Sequence, residues 1–150
     1  MIMKDVTFRL LTFADIPAME EILTVSSGHF EPKAFADFLA VGGDLAFGAV
    51  VQDRIVGLIY GYTLCRPDGR KPQFFAYSVD VYPDFQSKGI GSAFFQYAVD
   101  WCRKNGYSEV FVSTDRGNSR ACRVYEKAGG KSEHTDEVIY VIEFEEQLSE

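Results

Sequence analysis

Histidine, cysteine and basic charge are all scarce in this chain of 150 residues. His29 and His134 stand far apart, and Cys65, Cys102 and Cys122 form no C-x-x-C pair. No metal site is expected, because zinc needs ligands at close spacing. Odd, scattered cysteines argue against a disulfide framework and for a reducing compartment. Lysine and arginine number 15 against 22 aspartates and glutamates, a formal net charge of -7. Nucleic-acid binders show a basic footprint, so no nucleic-acid partner is expected. No stretch reaches the roughly 18 apolar residues that cross a membrane. The start, Met1-Ile2-Met3-Lys4-Asp5, lacks the apolar run of a signal peptide. A cytoplasmic protein with no membrane partner is the expectation. Repeats, low-complexity tracts and linkers are absent as well.

What the chain does have is core material: 47% hydrophobic and 15% aromatic residues. That suits one domain, 1–150, with one core. Acidity favours solubility on its own account, and it also suits a cationic substrate by long-range attraction.

Val6 to Leu11 is β-prone. Asp15 is expected to cap a helix that carries Pro17 in its first turn, and Glu31-Pro32 opens a second. Leu45–Val51 and Ile55–Leu64 read as a hairpin about Gln52-Asp53. A turn-rich loop, Arg66 to Pro72, leads to a strand from Gln73 to Tyr82, ended by Pro83. Phe94, Phe95, Ala98, Trp101 and Cys102 stripe a helix from Gly91 to about Asn105. Tyr107–Thr114 is a strand, and Asn118 caps a short helix ending at Gly129-Gly130. Val138, Tyr140, Ile142 and Phe144 alternate with Ile139, Val141 and Glu143, which predicts a last strand. The order β-α-α-β-β-β-α-β-α-β indicates an α/β domain with a mixed sheet covered by helices.

Chemistry concentrates after the Gln73 strand, in Gln86-Ser87-Lys88-Gly89-Ile90-Gly91-Ser92. A strand feeding a glycine loop and a helix N-terminus makes an anion site. The first helical turn leaves backbone N–H groups unpaired, and the helix dipole adds positive potential. Gly89 and Gly91 let phosphate approach the backbone. Lys88 adds charge and Ser92 a hydroxyl. A bare G-x-G merely shapes a turn, but the V-x-V-x-P strand end before it and the long helix after it are more specific. The spacing is neither that of a Walker loop nor that of a Rossmann loop.

The Q-x-x-G-x-G run resembles motif A of the GNAT superfamily of acetyltransferases. The resemblance implies a GNAT-like, mixed, mostly antiparallel central sheet flanked by helices, with acetyl-CoA as co-substrate. Gln86 to Ser92, Ile90 included, would wrap the pyrophosphate. Val79 and Val81 would offer backbone groups, beside a bulge, to the pantetheine arm and thioester, with the Val81 N–H as oxyanion donor.

Asn118 to Gly130, with Ala121, Val124-Tyr125, Lys127 and Gly129, resembles motif B of the same superfamily. Asn118 and Tyr125 are seven apart, so they share a helix face. Tyr125 is either a core aromatic or a general acid. The resemblance assigns it the proton that goes to the departing thiolate. Asn118 and Ala121 would then lie against the cofactor.

An attacking amine must also lose a proton. Asp80, among Val79, Val81 and Tyr82, is a candidate base or substrate anchor, or else a solvent-facing strand residue. Asp136, Glu137 and Glu143, on or beside the last strand, are further acceptor-side candidates.

Within the superfamily the chain is most similar to type I aminoglycoside 3-N-acetyltransferases. Val56-Gly57 through Tyr62-Thr63-Leu64 and the stretch from Tyr77 to Val81 carry that similarity. The subfamily's Y-D-x-x-V appears here as Tyr77-Ser78-Val79-Asp80-Val81, with the acid two places later. The resemblance implies 3-N-acetylation of an aminoglycoside antibiotic, and hence resistance. The alternatives are another amine acceptor (a polyamine, an amino acid or a protein N-terminus) and a non-catalytic acyl-CoA-binding module. A homodimer fits the superfamily.

Overall fold

The computed structural model describes residues 5–86, 88–132 and 136–145. Its sheet has the sequential order β1-β2-β3-β4-β5. The strands are β1 (Thr7–Leu10), β2 (Asp44–Val51), β3 (Arg54–Leu64), β4 (Gln73–Val81) and β5 (Glu109–Val112). The first four pair antiparallel, and β4 with β5 parallel. The helices are α1 (Glu20–Ser27), α2 (Pro32–Ala40), α3 (Ile90–Lys104) and α4 (Ser119–Lys127). The α/β architecture expected from the sequence is therefore present.

Local chemistry sets these elements. The β2–β3 hairpin closes through Gln52 and Asp53, both left-handed with φ of 49° and 65°, as a two-residue hairpin turn requires. A parallel β4–β5 pair demands a crossover, which α3 supplies. The α3 side chains Ile90, Phe94, Phe95, Ala98 and Cys102 are buried against the sheet. Phe47 and Phe74 meet edge to face at 6.0 Å, and Trp101 closes on Phe47 at 5.5 Å. Each buried ring contributes roughly 2–3 kcal/mol by removal from water. On the other face Met19, Ile22 and Phe35 are buried.

Two expectations need correction. Asp15 is not the N-cap residue; Thr12 is, and Asp15 closes a capping box with it. A 3₁₀ run, Phe13–Met19, precedes α1. The Asp15 carboxylate reaches back to the Thr12 N–H at 2.8 Å and clamps Arg9 through two bonds of 2.7 and 2.8 Å. The last strand is also not formed: residues 137–145 adopt no regular structure. Alternation supplies two side-chain faces, but a strand also needs a ladder and cover. Here Ile139, Tyr140, Ile142 and Phe144 are all more than four-fifths exposed.

The Asp15 clamp yields a first prediction. The Arg9 guanidinium, then the Thr12 amide, hold the Asp15 carboxyl below its ordinary pKa. Its stabilisation is fully present above the unfolded carboxyl pKa of about 3.9 and is lost as pH falls through the lowered folded value. Arg9 is half exposed, so most of the cost lies in the lost cap rather than in the ion pair. Asp15→Ala is expected to cost about 1 kcal/mol at pH 7. Urea midpoints should show that gap shrinking below about pH 4.

Candidate active site

The site begins where β4 leaves β5. The last parallel pair is Ala76 with Val112. At the same place the β3–β4 ladder slips: Gly61 faces Ala76, Tyr60 faces Ser78, and Tyr77 is the extra residue. Such a bulge bends its strand and shifts which residues share a face. Beyond it β4 still follows β3, through Val79–Ile59 and Val81–Gly57, but no longer follows β5. A cleft of about 510 Å³ opens between β4, the start of α3 and α4.

Val79 and Val81 line this cleft from β4, and Gln86, Gly89, Gly91 and Ser92 line it from the loop and first turn of α3. Gly89 is left-handed at φ 79° and caps α3. Intrahelical bonding begins with the Ala93 N–H on the Gly89 carbonyl at 3.1 Å. The amides ahead of it lie at the positive end of a helix of 15 residues. A Cβ on Gly91 would stand 3.9 Å from Val124 and 4.0 Å from Val81. It would collide with nothing and would fill the gap between the two valines. These bare backbones and amides suit a pyrophosphate on an extended arm.

Gln86 binds the walls together. Its Nε2 donates to the Val81 carbonyl at 2.7 Å, and its Oε1 accepts from Arg120 Nη1. The glutamine thus links the α3 loop to β4 and to α4.

From α4, Asn118, Ala121 and Tyr125 all line the cleft. The Asn118 side chain caps its helix by accepting from the Ala121 N–H at 3.1 Å. The Tyr125 ring packs 4.8 Å from Phe95. Burial first, then the charge of Asp80, then Cys122, raise the Tyr125 phenol above its ordinary pKa. It therefore keeps its proton throughout the neutral range.

Asp80 itself does not line the cleft. It pairs with Leu58, on the opposite face from Val79 and Val81, and accepts from the Ser78 hydroxyl at 2.7 Å. Lys88 is exposed and outside the lining, and Ile90 turns its side chain into the core. Ser87 lies outside the described residues. Asp136, Glu137 and Glu143 sit on the exposed 136–145 segment, and none lines the cleft. The structure also adds Arg120, Arg123 and Val124 to the lining. Two arginines one turn apart, on the helix that carries Asn118 and Tyr125, were the available signal for an anion site. Among the described residues no cluster of His, Cys, Asp and Glu could hold a metal, and no helix is long and apolar enough to cross a membrane.

Residues 16–130, which contain this entire cleft, match the acetyltransferase (GNAT) family. The chain belongs to that family. The motif A and motif B segments of this GNAT chain are the two walls of one cleft. A mycothiol acetyltransferase of Renibacterium salmoninarum is 29% identical over 77 residues, covering 51% of this chain and 23% of its own length. The chain thus spans about a quarter of that relative. Among solved structures, an aminoglycoside acetyltransferase from an uncultured soil metagenomic sample, in complex with trehalose, superposes with a TM-score of 0.81 at 20% identity, covering 95% of this chain and all of that one. A ribosomal-protein-alanine N-acetyltransferase from Brucella melitensis gives 0.75 at 22%, covering 93% and 99%. The aminoglycoside N-acetyltransferase AAC(6')-Iy in complex with CoA gives 0.73 at 16%, covering 92% and 94%. At these identities the likeness establishes the GNAT fold.

Proposed function

We propose that the protein transfers the acetyl group of acetyl-CoA to a primary amine, and that the acceptor is an aminoglycoside, at the 3-amino position that its sequence resemblance implies. One observation carries the transfer: a phenol held in its protonated form shares a cleft with a glycine-bearing helix N-terminus. Amides at the start of α3 hold the pyrophosphate, with Arg120 and Arg123 adding charge. Val79 and Val81 present backbone groups to the pantetheine arm, and the Val81 N–H polarises the acetyl carbonyl. Asp80 draws the ammonium group and accepts its proton. The amine nitrogen bonds to the acetyl carbon, the carbon–sulfur bond breaks, and Tyr125 protonates the departing thiolate.

The aminoglycoside reading is supported by the chain's acidity and by Asp80 on the face of β4 opposite the cleft-lining Val79 and Val81. It is also supported by a fold shared, at 19% identity and a TM-score of 0.78, with an aminoglycoside acetyltransferase solved with sisomicin. Thiol release from acetyl-CoA should be measured against aminoglycosides, polyamines and peptides bearing a free N-terminus. Rates above background with gentamicin-class compounds are expected, and mass spectrometry with NMR of the product locates the new amide. Background rates there with rapid turnover of a peptide would replace the acceptor.

The cofactor wall is tested separately. Arg120→Ala is expected to weaken acetyl-CoA binding about tenfold in calorimetry, the ordinary worth of one charge-assisted contact. The loss should narrow as salt is added.

A further inference from the structure

Outside the cleft, the sheet face beneath α2 ends in aromatic rather than aliphatic side chains. Phe38 of α2 meets Tyr60 and Tyr62 edge-on, each at 5.7 Å, with interplanar angles of 80° and 84°. Tyr77 stands 5.8 Å from both tyrosines and 5.7 Å from Phe75. Yet Tyr77 remains 60% exposed. A ring braced by three others and still open to solvent contributes little to the core. It is a fixed surface that loses little freedom when something stacks on it.

Its place in the chain is equally specific. Tyr77 is both the extra residue of the β3–β4 bulge and the first residue of β4 past the β4–β5 ladder. It stands at the fork from which the cofactor cleft opens. Asp80 follows three residues later, with Ser78 bonded to it. Asp44 faces Tyr62 across the β2–β3 ladder. Ring faces beside carboxylates attract cations twice over, through the ring quadrupole and through charge. A linear polyamine would bring its ammonium groups to the ring face one at a time. A saturated ring bearing ammonium groups would also lay its polarised C–H face on the phenol.

We propose that Tyr77, backed by Phe38, Tyr60 and Tyr62, is the acceptor platform, and that it selects an amine carried on a ring-shaped, saturated polycation over an amine on a flexible chain. The proposal rests on the amine-acetylation reading above and names what selects the acceptor: the ring as well as the charge.

The test compares a gentamicin-class aminoglycoside with spermidine as acceptors for the wild type, Tyr77→Ala and Tyr77→Phe. Tyr77→Ala is expected to raise KM for the aminoglycoside about tenfold with kcat changed less than about twofold. Tyr77→Phe should stay within about threefold of wild type. The spermidine KM should change less than about threefold in both variants, and acetyl-CoA affinity should be unchanged. A second readout needs no variant: at equal saturation the aminoglycoside should shift the Tyr77 ring resonances of the wild type clearly more than spermidine does. Equal losses for both acceptors, or no change in KM and no ring shift, overturn the platform. Faster acetylation of spermidine than of any aminoglycoside overturns ring selection and leaves the acetyltransferase reading standing. Absence of thiol release with every amine removes that reading, and the platform with it.

Discussion

Tyr125→Phe is expected to lower kcat by about two orders of magnitude, within the range for a positioned general acid, while acetyl-CoA affinity stays within about twofold. The substitution removes one oxygen and keeps the ring that packs 4.8 Å from Phe95, so the wall of the cleft survives. What disappears is the proton that the proposed mechanism gives to the thiolate. A thiolate leaving without it keeps a full negative charge, and with a thiol pKa near 8.5 in the reference case it takes up a proton at neutral pH. The wild-type phenol holds that proton ready because burial and the charge of Asp80 raise its pKa, and the same shift makes it the weaker acid. A donor whose pKa lies above the ordinary value of about 10 remains protonated at every working pH. The wild type should therefore show no loss of kcat from this group until pH rises past about 10. Single-turnover rates across pH, alongside calorimetry with CoA, separate chemistry from binding. An unchanged kcat in Tyr125→Phe would leave Tyr125 as a packing residue, and water would be the proton source.

The route from sequence to site was uneven for physical reasons. Gln86, Gly89 and Gly91 announced themselves because a strand end, a glycine loop and a helix start are contiguous in the chain. Asn118 and Tyr125 were legible because helical periodicity sets both on one face. The task of the Gln86 side chain was not legible. Its partners, Val81 and Arg120, come from β4 and α4, and nothing local announces a bond that only the tertiary fold creates. The fork at Tyr77 was hidden for the same reason. A bulge is a relation between two strands, and its partner here is Gly61 on β3. The sequence placed a bulge beside Val79 and Val81 through family resemblance, whereas the register puts it at Tyr77. Val138–Phe144 shows the opposite case. Its alternation is plain, but period alone cannot supply the neighbouring strand that would satisfy its backbone.

Gly61 carries the largest expected effect on the fold. A Cβ there would stand 2.0 Å from the Phe75 carbonyl oxygen and 2.8 Å from Phe74 Cζ. The first obstacle is backbone, so no rotamer change relieves it; β3 and β4 would have to separate at the bulge. Ordinary overpacking costs about 1–3 kcal/mol, and a collision with a ladder carbonyl belongs at or above that upper end. Gly61→Ala is accordingly expected to lose about 3 kcal/mol or more, lowering Tm by roughly 10 °C for a chain of this size. Gly61→Val should yield little folded protein. Gly91→Ala is the counterpart, because its Cβ would meet only Val124 and Val81 at ordinary contact distances. That variant should fold like wild type by circular dichroism and melt near the same temperature. It should nevertheless bind acetyl-CoA at least tenfold more weakly, since its methyl occupies the gap that the proposed binding mode gives to the cofactor, about the loss expected from filling a close-contact site. The two glycines thus separate what the fork requires from what the cofactor requires. A Gly61→Ala variant as stable as wild type would mean that β3 and β4 already part at Tyr77, and the cleft would owe its opening to that looseness rather than to a packed bulge.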